Sequence, residues 1–277
     1  MKSFSYYNGV FDFSANIKIP LTDRSVYFGD GVYDAAIGKN GRIFLLDEHV
    51  QRFLSNAKRI GINNAPTYEE IGNLLLETIR RADIPEFFVY FQISRDALNR
   101  IHSAINATSY NLLITVSAIT VNRSDTPISL ITAEDIRYFM CDVKTINLLP
   151  SVLASTKAEE SGCDEAVFYR GDTVTECAHS NISIIKDGLL LTHPATNLIL
   201  PGITRRHLLI ACEKLGIEFT ERPFTLEELF AADEILVTST SKLCRTVNMI
   251  DGIRVGENDK SKAEKICDFL YKEYELF

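Results

Sequence analysis

Two residues of the sequence, Lys144 and Glu176, combine a type and a setting that could carry chemistry. Lys144 lies among apolar neighbours, because Val143 precedes it and Ile146 follows shortly after it. Desolvation disfavours the charged form of an ammonium group, so such a lysine becomes a usable nucleophile and base. Glu176 ends the β-branched run 173–175, a position from which a strand can deliver a carboxylate to a pocket. Taken alone, each residue is most simply interpreted as a surface charge.

A nucleophilic lysine and a single carboxylate together suit pyridoxal 5′-phosphate (PLP). At such a site the lysine holds the cofactor as a Schiff base, and the carboxylate keeps the pyridine nitrogen protonated. Spacing alone does not establish this function for Lys144 and Glu176. The hypothesis depends on the elements that position the two residues and on the groups that accompany them.

The composition is that of an ordinary folded protein and argues against several classes of partner. The 277 residues are 46% hydrophobic and 24% charged, and the formal net charge of −8 disfavours nucleic acid and anionic membranes. We find no apolar run long enough to span a bilayer and no signal-peptide core in residues 1–7, so we expect a cytoplasmic protein. Six scattered cysteines predict reduced thiols, and the histidine spacing predicts no metal site.

Hydrophobic periodicity predicts a mixed α/β fold of two domains. Residues 1–120 are predicted to form an N-terminal α/β domain, and residues 128–277 a larger C-terminal domain. The segment 121–127 between them loses all periodicity and is the predicted linker.

The first candidate for binding a phosphate is Arg52. Residues 47–60 are predicted to form a helix with Asp47 as its N-cap, and Arg52 lies on a polar face with His49 and Asn56. On this evidence alone, a solvated surface arginine is the ordinary interpretation.

Two segments of the second half offer backbone and hydroxyl donors. A helix is predicted to begin near Thr204, just after Gly202, and free N–H groups at a helix N terminus suit a phosphate. A strand at 234–237 leads into the hydroxyl cluster 238–241. A simple capped helix is the ordinary interpretation of the first segment.

These separated motifs together resemble the fold-type IV PLP-dependent enzymes. That family comprises D-amino acid aminotransferases, branched-chain aminotransferases and aminodeoxychorismate lyases. The resemblance covers nearly the whole chain, and implies a small N-terminal α/β domain and a C-terminal mixed-sheet, pseudo-barrel domain. The motifs that carry it are residues 28–33, 48–52, 144–149, 175–176 with 180–181, 202–205 and 238–241.

The resemblance implies a role for each candidate residue. Lys144 is expected to be the catalytic Schiff-base lysine, and Glu176 the partner of the pyridine nitrogen. Arg52 is expected to bind the phosphate, and Arg205 to be structural. The other expected cofactor-binding residues are Ile203, Thr204, Ser239 and Thr240.

Within this family the first domain decides the substrate, and the chain is most similar to the D-amino acid aminotransferases. Tyr33, with Arg100 and His102 in the predicted loop 96–102, resembles the carboxylate-binding groups of those enzymes. There the Arg and the His come from the partner subunit of a homodimer. The resemblance therefore implies a homodimeric, ping-pong transaminase acting on a D-amino acid such as D-alanine and a 2-oxo acid.

Some positions depart from that group and leave the preferred side chain open. Cys177, Ala178 and His179 stand where Gly and serines are expected, and Asp96 where Gly is usual. His179 could alter the hydrogen bonds around the cofactor ring, and Arg245 could favour an acidic substrate side chain.

Three alternatives stay open from the sequence. A branched-chain L-aminotransferase or an aminodeoxychorismate lyase would use the same cofactor residues. The pair Arg100 and His102 speaks against the lyase. The third alternative is a non-catalytic PLP-binding protein, which would not need to keep both Lys144 and Glu176.

Overall fold

The computed structural model describes residues 3–96, 99–256 and 261–277. In these ranges the helices are α1 (Arg24–Phe28), α2 (Leu46–Arg59), α3 (Tyr68–Ala82), α4 (Leu149–Glu160), α5 (Ile203–Leu215), α6 (Leu226–Phe230) and α7 (Ser261–Leu276). The strands are β1 (Ser3–Tyr7), β2 (Val10–Phe13), β3 (Gly31–Lys39), β4 (Arg42–Ile43), β5 (Glu86–Arg95), β6 (Tyr110–Ala118), β7 (Ile128–Glu134), β8 (Glu165–Arg170), β9 (Thr173–Cys177), β10 (Asn181–Lys186), β11 (Leu189–Thr192), β12 (Phe219–Glu221), β13 (Phe224–Thr225), β14 (Glu234–Ser239), β15 (Leu243–Ile250) and β16 (Ile253–Arg254). The predicted mixed α/β fold is confirmed.

The chain divides into two compact units. Unit 1 comprises Met1–Val121 together with Val143–Asn147, and unit 2 comprises Asn122–Asp142 together with Leu148–Phe277. The short segment Val143–Asn147 joins unit 1 because it runs along the start of β3, where Thr145 forms a bridge with Val32.

Unit 1 is built on a six-stranded antiparallel sheet in the order β2-β1-β6-β5-β3-β4. Alternation along β3 turns Val32 and Ala36 toward the core that α2 and α3 complete with residues such as Phe53 and Leu75. Tyr33 therefore points to the opposite face, where the register sets it beside Gln92 of β5.

Local sequence signals explain where α3 begins and ends. The sequence predicts a capping box at Thr67 and Glu70, and the structure contains it. Thr67 accepts a hydrogen bond from the backbone N–H of Glu70, and the Glu70 side chain accepts one from the backbone N–H of Thr67. Asp83 ends the helix in a left-handed conformation.

Unit 2 is built on a mixed sheet in the order β12-β11-β10-β14-β15-β7-β8-β9-β13, with β16 paired to β15. β7 runs parallel to both β15 and β8, and β11 parallel to β12. α5 and α7 cover part of this sheet through an apolar cluster that includes Leu208, Ala211, Ile266 and Leu270.

One predicted element needs correction, and one strand is missing from the prediction. α2 begins at Leu46, after Leu45 in a left-handed conformation (φ 53°), so Asp47 is not its N-cap. Asp47 lies in the first turn and accepts a hydrogen bond from the hydroxyl of Tyr68 instead. The strand that the sequence does not predict is β15, which lies between β14 and β7 in the sheet.

Parts of some sequence predictions lie outside the described residues. The predicted loop 96–102 includes residues 97–98. The sequence also predicts a C-terminal amphipathic helix over residues 260–276, and residue 260 lies outside the described ranges. The predicted absence of a signal peptide likewise concerns residues 1–2.

Candidate active site

Lys144 is held against β3 by backbone hydrogen bonds on both sides of it. The N–H of Tyr33 donates to the carbonyl of Lys144 (2.9 Å), and the N–H of Ile146 donates to the carbonyl of Gly31 (3.2 Å). Lys144 Nζ lies 4.3 Å from the centroid of the Tyr33 ring. The structure therefore brings together the predicted catalytic lysine and one predicted substrate-binding residue.

The ring of Tyr33 is fixed by a second tyrosine on the same face of the sheet. Tyr33 and Tyr90 stack with ring centroids 5.2 Å apart, and the Tyr90 hydroxyl donates to Gln92 Oε1 (2.7 Å). Burial is the main cause that raises the pKa of Tyr90 above its ordinary value. The Tyr33 ring, stacked on Tyr90, therefore presents its face to the lysine amine, an arrangement that favours a nearby cation.

Arg52 binds a buried carboxylate on the other face of β3. Its Nε and Nη2 donate to the two oxygens of Asp34 (both 2.8 Å), and His49 Nδ1 also lies 2.8 Å from Asp34 Oδ1. Burial alone would raise the pKa of Asp34, but the Arg52 charge and the His49 hydrogen bond hold it well below its usual value. Arg52 is therefore oriented by a fork-shaped ion pair rather than solvated on a helix surface.

Asp34 was missed as a functional residue, although a signal for it existed. A carboxylate in a buried strand needs cationic or hydrogen-bonding partners. Applied to the predicted strand, this rule would have connected Asp34 to the polar helix face that carries His49 and Arg52.

Arg100 and His102 are exposed and lie against the aromatic residues of α1. The Arg100 guanidinium carbon is 5.8 Å from the Tyr27 ring centroid and 5.6 Å from that of Phe28. The His102 ring is 5.4 Å from the Phe28 ring. These two predicted substrate-binding residues therefore both contact the aromatic side chains of α1, while Tyr33 contacts Lys144 and Tyr90.

In unit 2, donors surround the carboxylate of Glu176. Arg137 Nη1 donates to Oε1, while Asn181 Nδ2 (2.9 Å) and the backbone N–H of Leu200 (3.0 Å) donate to Oε2. Glu176 is 4% exposed, and cationic and amide donors of this kind favour its ionised form. An ionised, immobile carboxylate is what a partner of a protonated ring nitrogen requires.

Arg137 is the second residue that sequence reasoning missed. It also donates to Asp135, through Nε (2.9 Å) and Nη2 (2.8 Å). Burial alone would lower the pKa of Arg137, but the Asp135 hydrogen bond and the Glu176 charge raise it above its ordinary value. An isolated arginine next to an acid gives no distinctive local signal, so only the fold identifies its link to Glu176.

The predicted phosphate donors of unit 2 begin at Gly202. No side chain caps the N terminus of α5, and the first two residues of the helix, Ile203 and Thr204, are buried. A Cβ at Gly202 would lie 1.9 Å from Asn181 Oδ1. Only glycine therefore fits beside the amide that also contacts Glu176.

The hydroxyl cluster 238–241 begins inside β14, which extends to Ser239. Thr238 lies opposite Asn181 in the β10–β14 pairing. Its Oγ1 is buried and has no hydrogen-bond partner among the described residues. Ser239 ends β14, and Thr240 follows in the turn toward β15. An unsatisfied buried hydroxyl is costly unless a ligand or water completes it.

These observations test whether the residues suit PLP. The uncapped N terminus of α5, the glycine at its start and the unsatisfied Thr238 hydroxyl suit an anionic group. The ionised Glu176 suits a protonated ring nitrogen, and the Lys144 amine suits a carbonyl carbon. The residues of each unit therefore fit the part of the cofactor predicted for them.

His179 and Arg245, two of the unusual residues, bind elsewhere. His179 Nδ1 lies 3.1 Å from Glu165 Oε1 and 3.2 Å from Ser180 Oγ. Arg245 Nη2 donates to the carbonyl of Thr126. His179 is thus tied to Glu165, and Arg245 to the segment that precedes β7.

Comparison with known proteins identifies the family. The family described as amino-transferase class IV matches residues 31–250. A relative from Listeria monocytogenes named D-alanine aminotransferase is 38% identical over 247 residues, which cover 87% of this chain and 86% of the relative. The chain therefore belongs to the class IV aminotransferases, and the predicted resemblance to fold-type IV enzymes and the predicted aminotransferase activity are confirmed.

Other relatives and solved structures agree with this family. A D-alanine aminotransferase of Staphylococcus epidermidis is 36% identical and covers 90% of each chain. A branched-chain aminotransferase from Thermoproteus uzoniensis superposes with a TM-score of 0.89 at 23% identity, covering 99% of this chain and 96% of that one. The likeness of the solved structure confirms the fold.

Two properties of the described residues bear on other functions. In the described ranges we find no helix that is long and apolar enough to cross a membrane. The same residues contain no group of three or more His, Cys, Asp or Glu side chains arranged to hold a metal ion.

Proposed function

We propose that this chain is a PLP-dependent transaminase that moves the amino group between a D-amino acid, such as D-alanine, and a 2-oxo acid. Relatives named D-alanine aminotransferase support the substrate class. The observation that carries the proposal is the position of Lys144 Nζ against the ring of Tyr33. It sets the candidate base beside a candidate contact for the substrate.

The chain's own residues would divide the chemistry among them. Bound PLP supplies the sink for the electrons left when a substrate loses its α-proton. Lys144 would hold the cofactor through Nζ, and its free amine would take the α-proton from the substrate and hand it on as an acid. Glu176 holds a proton on the ring nitrogen. Positioned proton transfer of this kind contributes roughly 10²–10⁴-fold to a rate.

Arg52 and the donors of unit 2 are proposed to bind the phosphate. Asp34 orients the Arg52 guanidinium, and a planar cation with directed N–H groups suits a phosphate dianion. The helix N terminus at Ile203 and Thr204, with Ser239 and Thr240, would supply further donors.

Tyr33, Arg100 and His102 are proposed to bind the substrate carboxylate. Tyr33 contacts Lys144, while Arg100 and His102 lie against the aromatic side chains of α1. We propose a cytoplasmic homodimer in which Arg100 and His102 serve the active site of the partner subunit. Three exposed apolar side chains of α4, Leu149, Val152 and Leu153, lie on one helix face and support self-association.

A branched-chain aminotransferase is the second candidate. Several structures that superpose on the chain carry that name, but at 21–23% identity they support the fold alone. The pair Arg100 and His102, present in the described chain, favours the D-amino acid reaction.

Reductive trapping tests the cofactor assignment. The protein purified with PLP is treated with borohydride, digested and mapped by mass spectrometry, and we expect the pyridoxyl group on Lys144. Lys144→Arg should carry no such group on residue 144 and should lose transamination. A pyridoxyl group mapped to another lysine of the wild-type chain would contradict the proposal.

A further inference from the structure

Arg24 is a buried arginine that the proposed chemistry does not use. It is 4% exposed and lines a cavity of about 450 Å³ in unit 1, together with Asp30, Arg95 and His102. A buried guanidinium is costly unless every donor is matched. Its partners therefore reveal what it is built to hold.

The guanidinium of Arg24 holds the backbone of the segment that carries Arg100 and His102. Nη1 donates to the carbonyl of Ile101 (2.7 Å), and Nη2 to the carbonyl of His102 (2.9 Å). Nε donates to Asp30 Oδ2 (2.7 Å). One planar fork thus fixes two successive carbonyls at the residues proposed to bind the substrate carboxylate.

Asp30 connects this fork to the rest of unit 1. Arg95 Nε donates to Asp30 (2.9 Å), and its other nitrogens donate to the carbonyls of Ile60 and Gly61 at the end of α2. Arg95 therefore shares the carboxylate with Arg24 but holds a different segment. A substitution at Arg95 is therefore a matched control for the same substitution at Arg24.

α1 itself is firmly attached to the sheet. The Asp23 carboxylate caps α1 by accepting from the Ser25 N–H, and it also accepts from Ser94 Oγ (2.8 Å) and the Tyr7 hydroxyl (2.9 Å). Since Arg24 belongs to α1, these contacts also fix the carbonyls of Ile101 and His102 relative to the sheet.

The Phe28 ring of α1 contacts Arg24 and also the side chains of the loop that Arg24 holds. The Arg24 guanidinium carbon lies 4.6 Å from the Phe28 ring centroid. Arg100 and His102 both lie against the same ring. Backbone and side chains of the segment 100–102 are thus held by one five-residue helix.

We propose that Arg24 is a positioning residue for substrate binding: its guanidinium fixes the Ile101 and His102 carbonyls and so sets where Arg100 and His102 present their side chains. The inference rests on the proposed function of those two residues. Because a displacement of about 1 Å in positioning groups can cost about 10²-fold, loosening this backbone should weaken binding of the substrate carboxylate. The cofactor residues lie outside this network.

The test compares Arg24→Lys with Arg95→Lys in the PLP-loaded enzyme. Lysine keeps the charge beside Asp30 but cannot form the fork to two carbonyls. We expect Arg24→Lys to raise KM for D-alanine about 10–100-fold while kcat and the PLP affinity stay within about threefold of wild type. Arg95→Lys should leave KM within about threefold.

Hydrogen exchange supplies a readout independent of activity. Exchange of the backbone amides in the peptide 99–109 should accelerate by about tenfold or more in Arg24→Lys and not in Arg95→Lys. Unchanged KM and unchanged exchange in Arg24→Lys would overturn the inference. Equal effects of the two variants on kcat and KM would also overturn it, because they would indicate a general structural role.

Arg100→Ala separates failure of this inference from failure of the proposed function. If Arg100→Ala leaves KM for D-alanine unchanged, the proposed carboxylate site is wrong, and the role of Arg24 in substrate binding falls with it. If Arg100→Ala raises KM and Arg24→Lys does not, only the inference is wrong. Should Arg24→Lys fail to fold, Arg24→Gln replaces it, because the shorter glutamine side chain also lacks the guanidinium fork, and an unchanged KM would then contradict the inference.

Discussion

Asp34 shows how one buried carboxylate organises cationic residues of unit 1. It is fully buried, and it binds Arg52 through both oxygens and His49 through one. Its pKa is held well below the usual value, despite burial, by the Arg52 charge and the His49 hydrogen bond. Asp34 therefore helps to orient Arg52, and through it the proposed phosphate contact.

We therefore expect Asp34→Asn to weaken PLP binding. The amide keeps the size of the carboxylate but loses the charge, and hydrogen bonds to charged groups contribute roughly 1.5–3 kcal/mol. Titration of the apo-protein with PLP should show a Kd raised about tenfold or more. Asp12→Asn, in the same sheet but far from α2 in the strand order, is the control and should bind PLP normally. Equal Kd values for the two variants would contradict the role of Asp34.

Glu165 provides a pH-dependent test at the same scale. Burial raises its pKa from 4.5 to about 7, against the hydrogen bonds from the His179 N–H and Ser180 Oγ and the charge of Lys242, while Asp164 raises it further. A raised folded-state pKa means that the folded protein prefers the protonated carboxyl. This contribution to stability is complete below pH 4.5 and is lost as the pH rises through about 7.

Glu165→Gln should remove that dependence. Two and a half pKa units correspond to about 3 kcal/mol, so relative to wild type the variant should gain stability by up to this amount between pH 4.5 and pH 8. Urea unfolding of both proteins across this range measures the difference. The same measurement on His179→Asn distinguishes the effect of Glu165 from any titration of the neighbouring imidazole. A difference between wild type and Glu165→Gln that stays constant with pH would contradict the shift.

At the scale of elements, the start of α5 is the most sharply constrained feature of unit 2. Gly202 has ordinary β-region angles (φ −65°), so conformational freedom is not the reason for glycine. The reason is space, since a Cβ would meet Asn181 Oδ1 at 1.9 Å. Asn181 in turn donates to Glu176 and to the carbonyl of Leu200.

We expect Gly202→Ala to displace Asn181 and to impair PLP binding. The loss of hydrogen bonds to Glu176 and the altered helix start should raise the Kd for PLP about tenfold or more. Gly72→Ala in α3 is the control, because a Cβ there meets nothing within 4 Å. It should bind PLP normally and stabilise the fold by about 0.5–1 kcal/mol. Normal PLP affinity in Gly202→Ala would contradict the account of this helix start.

Local signals predicted some elements well and others poorly. The capping box of α3 and the Asn40-Gly41 turn between β3 and β4 are encoded within a few residues, so the sequence sufficed for both. β15 was missed because its buried and less buried residues do not alternate, and alternation is the pattern that indicates a half-buried strand. The start of α2 was misplaced because Asp47 is engaged by Tyr68, a contact between two helices.

At the scale of the whole molecule, residues that are close in sequence belong to different units. Arg137 lies in unit 2 and Lys144 in unit 1, because Val143–Asn147 pairs with β3. The sequence allowed Lys144 and Glu176 to be selected through a resemblance to a family. It could not reveal the contacts of Arg137 and Arg24, which connect segments up to 78 positions apart.

The proposed dimer belongs to this scale as well. Light scattering of the wild-type protein should give about twice the mass of one chain. Leu149→Lys, which introduces a charge among the exposed apolar residues of α4, should shift the protein toward the monomer and reduce transamination. Leu276→Lys, another exposed leucine, is the control and should change neither. A fully active monomer would contradict the proposal that Arg100 and His102 act in the partner's site.

The handedness of the first half-reaction tests the central claim most directly. The purified PLP enzyme, without any 2-oxo acid, is mixed with D-alanine or with L-leucine, and the long-wavelength absorbance of the bound cofactor is followed. The proposed function predicts rapid loss of this absorbance with D-alanine, release of pyruvate, and little change with L-leucine. Rapid loss with L-leucine and none with D-alanine would contradict it and indicate a branched-chain aminotransferase instead.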